Sequence, residues 1–248
     1  IVVDTGPGVN KVKSGDYVVL SWIQGTGKNV PGTVYQWGNK KVNSGAITTF
    51  SHYSVISENR LTPIRSDISS EEAALLGCAI PTGVGSVLNT GKATHGQSVA
   101  VFGAGGIGSM SINAAKAIGC YPVIAVDIND RKLDSSRSFG ATHTINSNLS
   151  DPLVKINELI PGGVDLAIEA TGRPDVMTIA FASARNQGGV AVVIGNAHAG
   201  ELLTIDPQQL NAGKQLRGTW GGDCAPDIDY PRYMDMIQKK KLTPELII

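Results

Sequence analysis

Cysteine is scarce in this chain. There are three in 248 residues, Cys78, Cys120 and Cys224, and so odd and widely spaced a set excludes both a disulfide framework and a lobe of closely spaced zinc-binding cysteines. A reducing cytoplasm is the expected location. Net charge is lacking as well: Lys+Arg 21 balance Asp+Glu 21, which removes the electrostatic reason to expect nucleic acid or an anionic membrane as partner. Long hydrophobic runs are absent. Val99-Ala100-Val101-Phe102 and Val190-Ala191-Val192-Val193-Ile194 fall far short of the ~20 residues that span a bilayer and read as buried strands. Neither an internal repeat nor a low-complexity segment is found. No signal peptide is legible, and no initiating Met is present; Ile1-Val2-Val3-Asp4 reads as the middle of a strand, so the chain is expected to be part of a longer protein.

What is present suits a globular protein with many tight turns: 42% hydrophobic residues, 17% charged and 30 glycines. Up to about Ile64 the pattern is β-rich, short apolar runs such as Val18-Val19-Leu20 alternating with turn residues. Residues 24–46 lack periodicity and carry Gly25, Gly27, Asn29, Pro31, Gly32, Gly38 and Asn39, which predicts a long surface loop. A helix is predicted from Ser69, which forms a capping box with Glu72 ahead of Ala73-Ala74-Leu75-Leu76. A second short helix follows Pro81-Thr82.

From Ser98 onward strand-like and helix-like segments alternate, with strands expected near residues 99–102, 123–126, 142–145, 164–169, 190–194 and 216–220. Such alternation predicts an α/β fold, a doubly wound parallel sheet covered on both faces. Gly103-Ala104-Gly105-Gly106-Ile107-Gly108 is a G-x-G-x-x-G loop that directly follows the strand at Val99–Phe102 and opens a helix. Gly103 permits the tight turn, Gly105 lets the backbone approach a pyrophosphate, Gly106 opens the helix, and Gly108 lets helix and strand pack closely. The free N–H groups of that helix terminus then face the phosphates. By itself the loop also suits a flavin or S-adenosylmethionine site. Asp127 stands 19 residues after Gly108 at the end of the second strand, where the dinucleotide fingerprint places the carboxylate that binds ribose hydroxyls. The competing reading of Asp127 is a helix cap. A 2′-phosphate would be repelled there, which favours NAD over NADP.

Several collinear segments resemble the zinc-containing medium-chain alcohol dehydrogenases: Gly8 to Asp16, Leu76 to Gly83, the glycine loop, Val126 to Asn129, Phe139 to Thr142 and Gly163 to Gly172. The resemblance implies a Rossmann NAD-binding domain over residues 75–248 and part of a β-rich, GroES-like catalytic domain over residues 1–74. It implies that Cys78 is a ligand of the catalytic zinc, the other Cys and the His ligand belonging before residue 1 in such proteins. No structural zinc is expected, because no Cys precedes Gly77. The resemblance places Thr82, Ile107, Lys132, Thr171, Ile194, Gly195, Thr219 and Trp220 along the cofactor, Lys132 at the adenosine ribose and the others, Ile107 apart, toward the nicotinamide. Ile107 and Ile194 suit core packing equally well, and Trp220 an interface. Beyond the ligand Cys78, no catalytic residue is identified.

The implied activity is reversible oxidation of a primary or aromatic alcohol with NAD, zinc acting as Lewis acid, in a homodimer or homotetramer whose partner is a small alcohol or aldehyde. A zinc-independent quinone or enone reductase of the same superfamily and a non-catalytic nucleotide-binding module are the alternatives.

Overall fold

The computed structural model describes residues 1–43 and 45–247. The β-rich part is built from small antiparallel pieces. Strand β1 (Val18–Leu20) pairs with β4 (Leu61–Pro63), and β2 (Val34–Trp37) pairs with β3 (Lys40–Asn43). The hairpin corrects the expectation of a featureless loop over residues 24–46. Gly38, at φ +57°, supplies the left-handed first position of the two-residue turn between Trp37 and Lys40, a local signal that poor periodicity masks. Residues 1–4 are not a strand. Val2 instead exchanges backbone hydrogen bonds with Gly15 and Asp16.

Helix α1 (Ser70–Leu76) begins with the expected reciprocal Ser69–Glu72 box, and Gly77 is its C-cap. Helix α2 (Ala79–Gly85) is buried along most of its length and runs into a π-helical turn at Ser86–Thr90. The parallel sheet then forms in order β10-β9-β8-β5-β6-β7. Its strands are β5 (Val99–Phe102), β6 (Val123–Asp127), β7 (His143–Asn146), β8 (Leu166–Glu169), β9 (Val190–Val193) and β10 (Gln215–Gly218). Between them lie α3 (Gly106–Ala117), α4 (Asp130–Phe139), α5 (Pro152–Leu159), α6 (Pro174–Ser183) and α7 (Pro207–Asn211), with α8 (Pro226–Gln238) last. A proline opens α5, α6, α7 and α8, at the position where its missing N–H costs no hydrogen bond. The last strand ends at Gly218, so Thr219 and Trp220 follow β10 and are not part of it.

Period-two alternation divides the core. Val99 and Val101 face a layer that includes Met110, Phe139, Tyr230 and Tyr233, while Ala100 and Phe102 face Ile156, Ala180 and Phe181. Both faces of the sheet are therefore covered, as strands without a polar alternate require. The chain winds outward from β5 to β7 and then returns to β8 on the other side of β5, which leaves a crevice between the carboxyl ends of β5 and β8.

Helix α8 reaches back to the β-rich part. Asp227 accepts hydrogen bonds from the Thr26 N–H and hydroxyl and pairs with Lys11, and the Tyr230 hydroxyl donates to Ser21. No single helix among the described residues is long and apolar enough to cross a membrane.

Candidate functional site

The glycine loop sits at the carboxyl end of β5, and its geometry explains each glycine the sequence singles out. Gly103 has φ +94°, and a Cβ there would stand 2.9 Å from the Thr171 side chain. On Gly108 a Cβ would lie 1.8 Å from the Gly103 carbonyl oxygen, so α3 can start this close to β5 only without a side chain. Gly105 is different: nothing lies within 4 Å of its would-be Cβ, and Gly106 is exposed at the first turn of α3. The open side of the loop thus presents bare backbone and a helix N-terminus, an arrangement that receives anions.

Asp127 ends β6 and is buried. Its Oδ2 accepts from the Ala104 N–H at 2.8 Å and its Oδ1 from the Asn129 N–H at 3.0 Å. The cap of α4 is Asn129, whose side chain accepts from the N–H groups of Arg131 and Lys132, so Asp127 is not the helix cap. Each carboxylate oxygen keeps acceptor capacity beyond its single bond. Beside it lies a shallow cavity of about 280 Å³, lined among others by Gly105, Gly106, Asn129, Arg131 and Lys132. Both cations stand at this pocket, nearer than their spacing from Asp127 suggests, so any discrimination against a 2′-phosphate falls to Asp127 itself.

The other candidates gather at the carboxyl ends of β8, β9 and β10. Thr171 is exposed and adjoins Gly103 across the crevice. Gly172 and Gly195 touch, since a Cβ on Gly195 would be 2.1 Å from the Gly172 nitrogen. Ile194 is buried in the core and Ile107 packs at its margin, which gives both a packing role. The Thr219 hydroxyl donates to Asp223. Trp220 is 75% exposed and meets Trp22, from just beyond β1, edge to face at a centroid distance of 6.3 Å. Thr82 is buried in α2, and its hydroxyl donates to the Cys78 carbonyl at 2.7 Å; its side chain is thereby oriented by the residue expected to bind metal.

Cys78 is exposed at the start of α2, whereas Cys120 and Cys224 are buried. Leu20, at the end of β1, brings its carbonyl oxygen within 3.0 Å of a would-be Cβ on Gly77, so the end of β1 lies beside the residue that precedes the thiol. Among the described residues no three His, Cys, Asp or Glu side chains form a metal-sized cluster. One thiol does not fit zinc by itself, because such sites take three or four protein donors.

Sequence reasoning misses Glu169 and Trp22. Glu169 is fully buried at the end of β8, and its three local donors are invisible until the turn after β8 is folded. A carboxylate inside an otherwise apolar strand, Leu166-Ala167-Ile168-Glu169, is the signal that could have found it. Trp22 is legible only as an aromatic after a strand, since its partner lies 198 positions on at Trp220.

A family profile described as zinc-binding dehydrogenase matches residues 106–239. An S-(hydroxymethyl)glutathione dehydrogenase from Photobacterium damsela subsp. piscicida is 35% identical over 273 aligned positions, covering 98% of this chain and 74% of that protein. Alcohol dehydrogenase 2 of Zea mays is 35% identical over 203 residues, 81% of this chain, which spans only 54% of the maize protein's length. Among solved structures, benzyl alcohol dehydrogenase from Acinetobacter calcoaceticus superposes with a TM-score of 0.86 at 29% identity, covering 97% of this chain and 72% of that one. The glycine loop, the carboxylate that ends β6 and the parallel sheet that carries them thus occur together in a chain whose likeness to these proteins extends over four fifths or more of its length, and the chain belongs to the zinc-binding dehydrogenase family.

Proposed function

We infer that the chain binds NAD across the carboxyl edge of its parallel sheet and serves hydride exchange between NAD and an alcohol. The observation that carries this reading is Asp127, held against the glycine loop by the Ala104 N–H with oxygens still able to accept ribose hydroxyls. In this reading the pyrophosphate lies over Gly105 and Gly106 at the start of α3, packed closely because Gly103 and Gly108 lack side chains. The adenosine ribose lies at Asp127 and Lys132. The nicotinamide half runs past Thr171, Gly195, Thr219 and Trp220 toward Thr82, with Ile107 and Ile194 forming the apolar floor. When bound, NAD supplies the hydride chemistry; the residues of this chain supply position and shield the crevice from water.

The substrate proposed is a primary or aromatic alcohol, with the corresponding aldehyde as product. The names of the relatives support an alcohol, and the Trp22–Trp220 pair supports a flat apolar substituent. Cys78 is proposed as one zinc donor, no structural zinc is proposed, and no step is assigned to the metal because the described residues do not complete its site. The proposed division places residues 1–74 with the catalytic part and 75–248 with the cofactor, and the proposed assembly is a homodimer or homotetramer. Fluorescence titration of the purified protein with NADH and NADPH tests the central claim. NADH is expected to bind the more tightly, and equal or stronger binding of NADPH would overturn the assignment of Asp127.

A further inference from the structure

Glu169 ends β8 as a buried carboxylate in an otherwise apolar strand. Its residue is fully buried, and it stands beside the crevice between β8 and β5. Oε1 accepts three hydrogen bonds, from the Thr171 N–H at 2.7 Å, the Gly172 N–H at 3.0 Å and the Thr171 hydroxyl. The backbone carbonyl of the same residue accepts from the Ile194 N–H at 2.9 Å and the Gly195 N–H at 3.2 Å. One residue therefore ties down two turns, the one after β8 through its side chain and the one after β9 through its main chain. Oε2 is buried with no hydrogen-bond partner among the described residues. It lies 2.7 Å from where a Cβ on Gly195 would stand. A buried carboxylate oxygen without a donor is unfavourable, and such groups persist where a site needs the geometry they impose.

We propose that Glu169 is a positioning residue for the nicotinamide end of the crevice, acting through Thr171 to hold the β8 turn against Gly103 and through its packing on Gly195 to set the spacing between the β8 and β9 turns. The inference rests on the cofactor reading above. A Gln at 169 still fills the space and can accept hydrogen bonds, but it replaces charge-assisted bonds with neutral ones about half as strong. The turns then lose definition at the nicotinamide end, while Asp127, on β6 at the other side of β5, keeps its grip on the Ala104 N–H of the glycine loop.

The test compares NADH with ADP-ribose, which carries the adenosine, the pyrophosphate and the second ribose but lacks the nicotinamide. For Glu169→Gln the Kd for NADH is expected to rise about tenfold, the worth of a lost charged hydrogen bond, with the Kd for ADP-ribose unchanged. Thr171→Val, altered at an exposed position, is expected to show the same split, and the double variant to be no weaker than the worse single one, because the two side chains act as one unit. Equal losses for both ligands would mean a merely structural role. Unchanged NADH binding in either variant, or fully additive losses in the double, would also overturn the proposal. If Glu169→Gln does not fold, Glu169→Asp, which keeps the charge but draws the carboxylate back from the Thr171 and Gly172 N–H groups, decides by the same split. Failure of the unaltered protein to bind either ligand would instead remove the cofactor reading itself.

Discussion

The backbone N–H of Ala104 donates to Oδ2 of Asp127 at 2.8 Å. The carboxylate that ends β6 is thus part of the glycine loop's own construction as well as a candidate acceptor for sugar hydroxyls. Replacing Asp127 with Asn keeps the shape and one acceptor but removes the charge. NADH affinity is expected to fall about tenfold, as for loss of one charge-assisted hydrogen bond, and the preference for NADH over NADPH to shrink. The two Kd values measured side by side check this, and an unchanged ratio would sink it.

Gly105 and Gly108 should separate binding from folding. At Gly108 an alanine methyl would meet the Gly103 carbonyl oxygen at 1.8 Å, so Gly108→Ala must displace α3. A cost of about 1 to 3 kcal/mol is expected, visible as a lowered Tm together with lost NADH binding. At Gly105 the same methyl meets nothing within 4 Å and the backbone is extended, φ −76°. Gly105→Ala is expected to melt like the parent and still bind NADH poorly, because the methyl occupies the pyrophosphate's approach. Equal melting and equal binding in both variants would contradict the assignment.

Thiol labelling should find Cys78 alone. It is the exposed cysteine of the three, while burial, assisted by Asp165, pushes the Cys120 thiol up to about 11, and burial with Asp229 raises that of Cys224 further. The thiolate is the reactive form. At about pH 8, near the ordinary thiol pKa, a thiol reagent should modify one cysteine rapidly in the native protein, and Cys78→Ser should abolish that fast phase. Mass spectrometry of the labelled peptide checks it; rapid labelling at Cys120 or Cys224 would refute it.

The tie between α8 and the β-rich part should weaken in acid. Burial opposes ionisation of Asp227, but hydrogen bonds from Lys11 and from the Thr26 N–H and hydroxyl outweigh it and hold the carboxyl below its ordinary value. With the folded pKa depressed, the contribution is fully present above the unfolded value of about 4 and is lost as pH falls through the folded one. Asp227→Asn should therefore lower Tm near neutral pH, and the gap between variant and parent should close in strong acid. Melting curves across that range test it; a gap of constant size would exclude the linkage.

Features formed by residues close together along the chain are readable in the string, and those formed by distant residues are not. Ser69 with Glu72, the glycine loop with the strand before it, and the prolines that open four helices are local patterns, and each marks an element that forms. The hairpin at Val34–Asn43 is local too, but Gly38 is one glycine among many, and the poor periodicity of the residues around it masks the turn that its φ of +57° makes. Ile1 to Asp4 is apolar enough for a strand, yet the described chain pairs Val2 only with the turn at Gly15 and Asp16.

The α/β alternation, the glycine loop and the carboxylate 19 residues beyond it are legible in the amino-acid string, because side-chain periodicity and the steric needs of a tight turn act between residues close in the chain. That Asp127 grips Ala104, that Trp22 meets Trp220, that Asp227 fastens α8 to Thr26 and Lys11, and that Glu169 bonds to two turns at once are properties of the folded chain. Those contacts join segments that the winding of the sheet brings together, and no local propensity encodes which distant backbone a buried carboxylate will find.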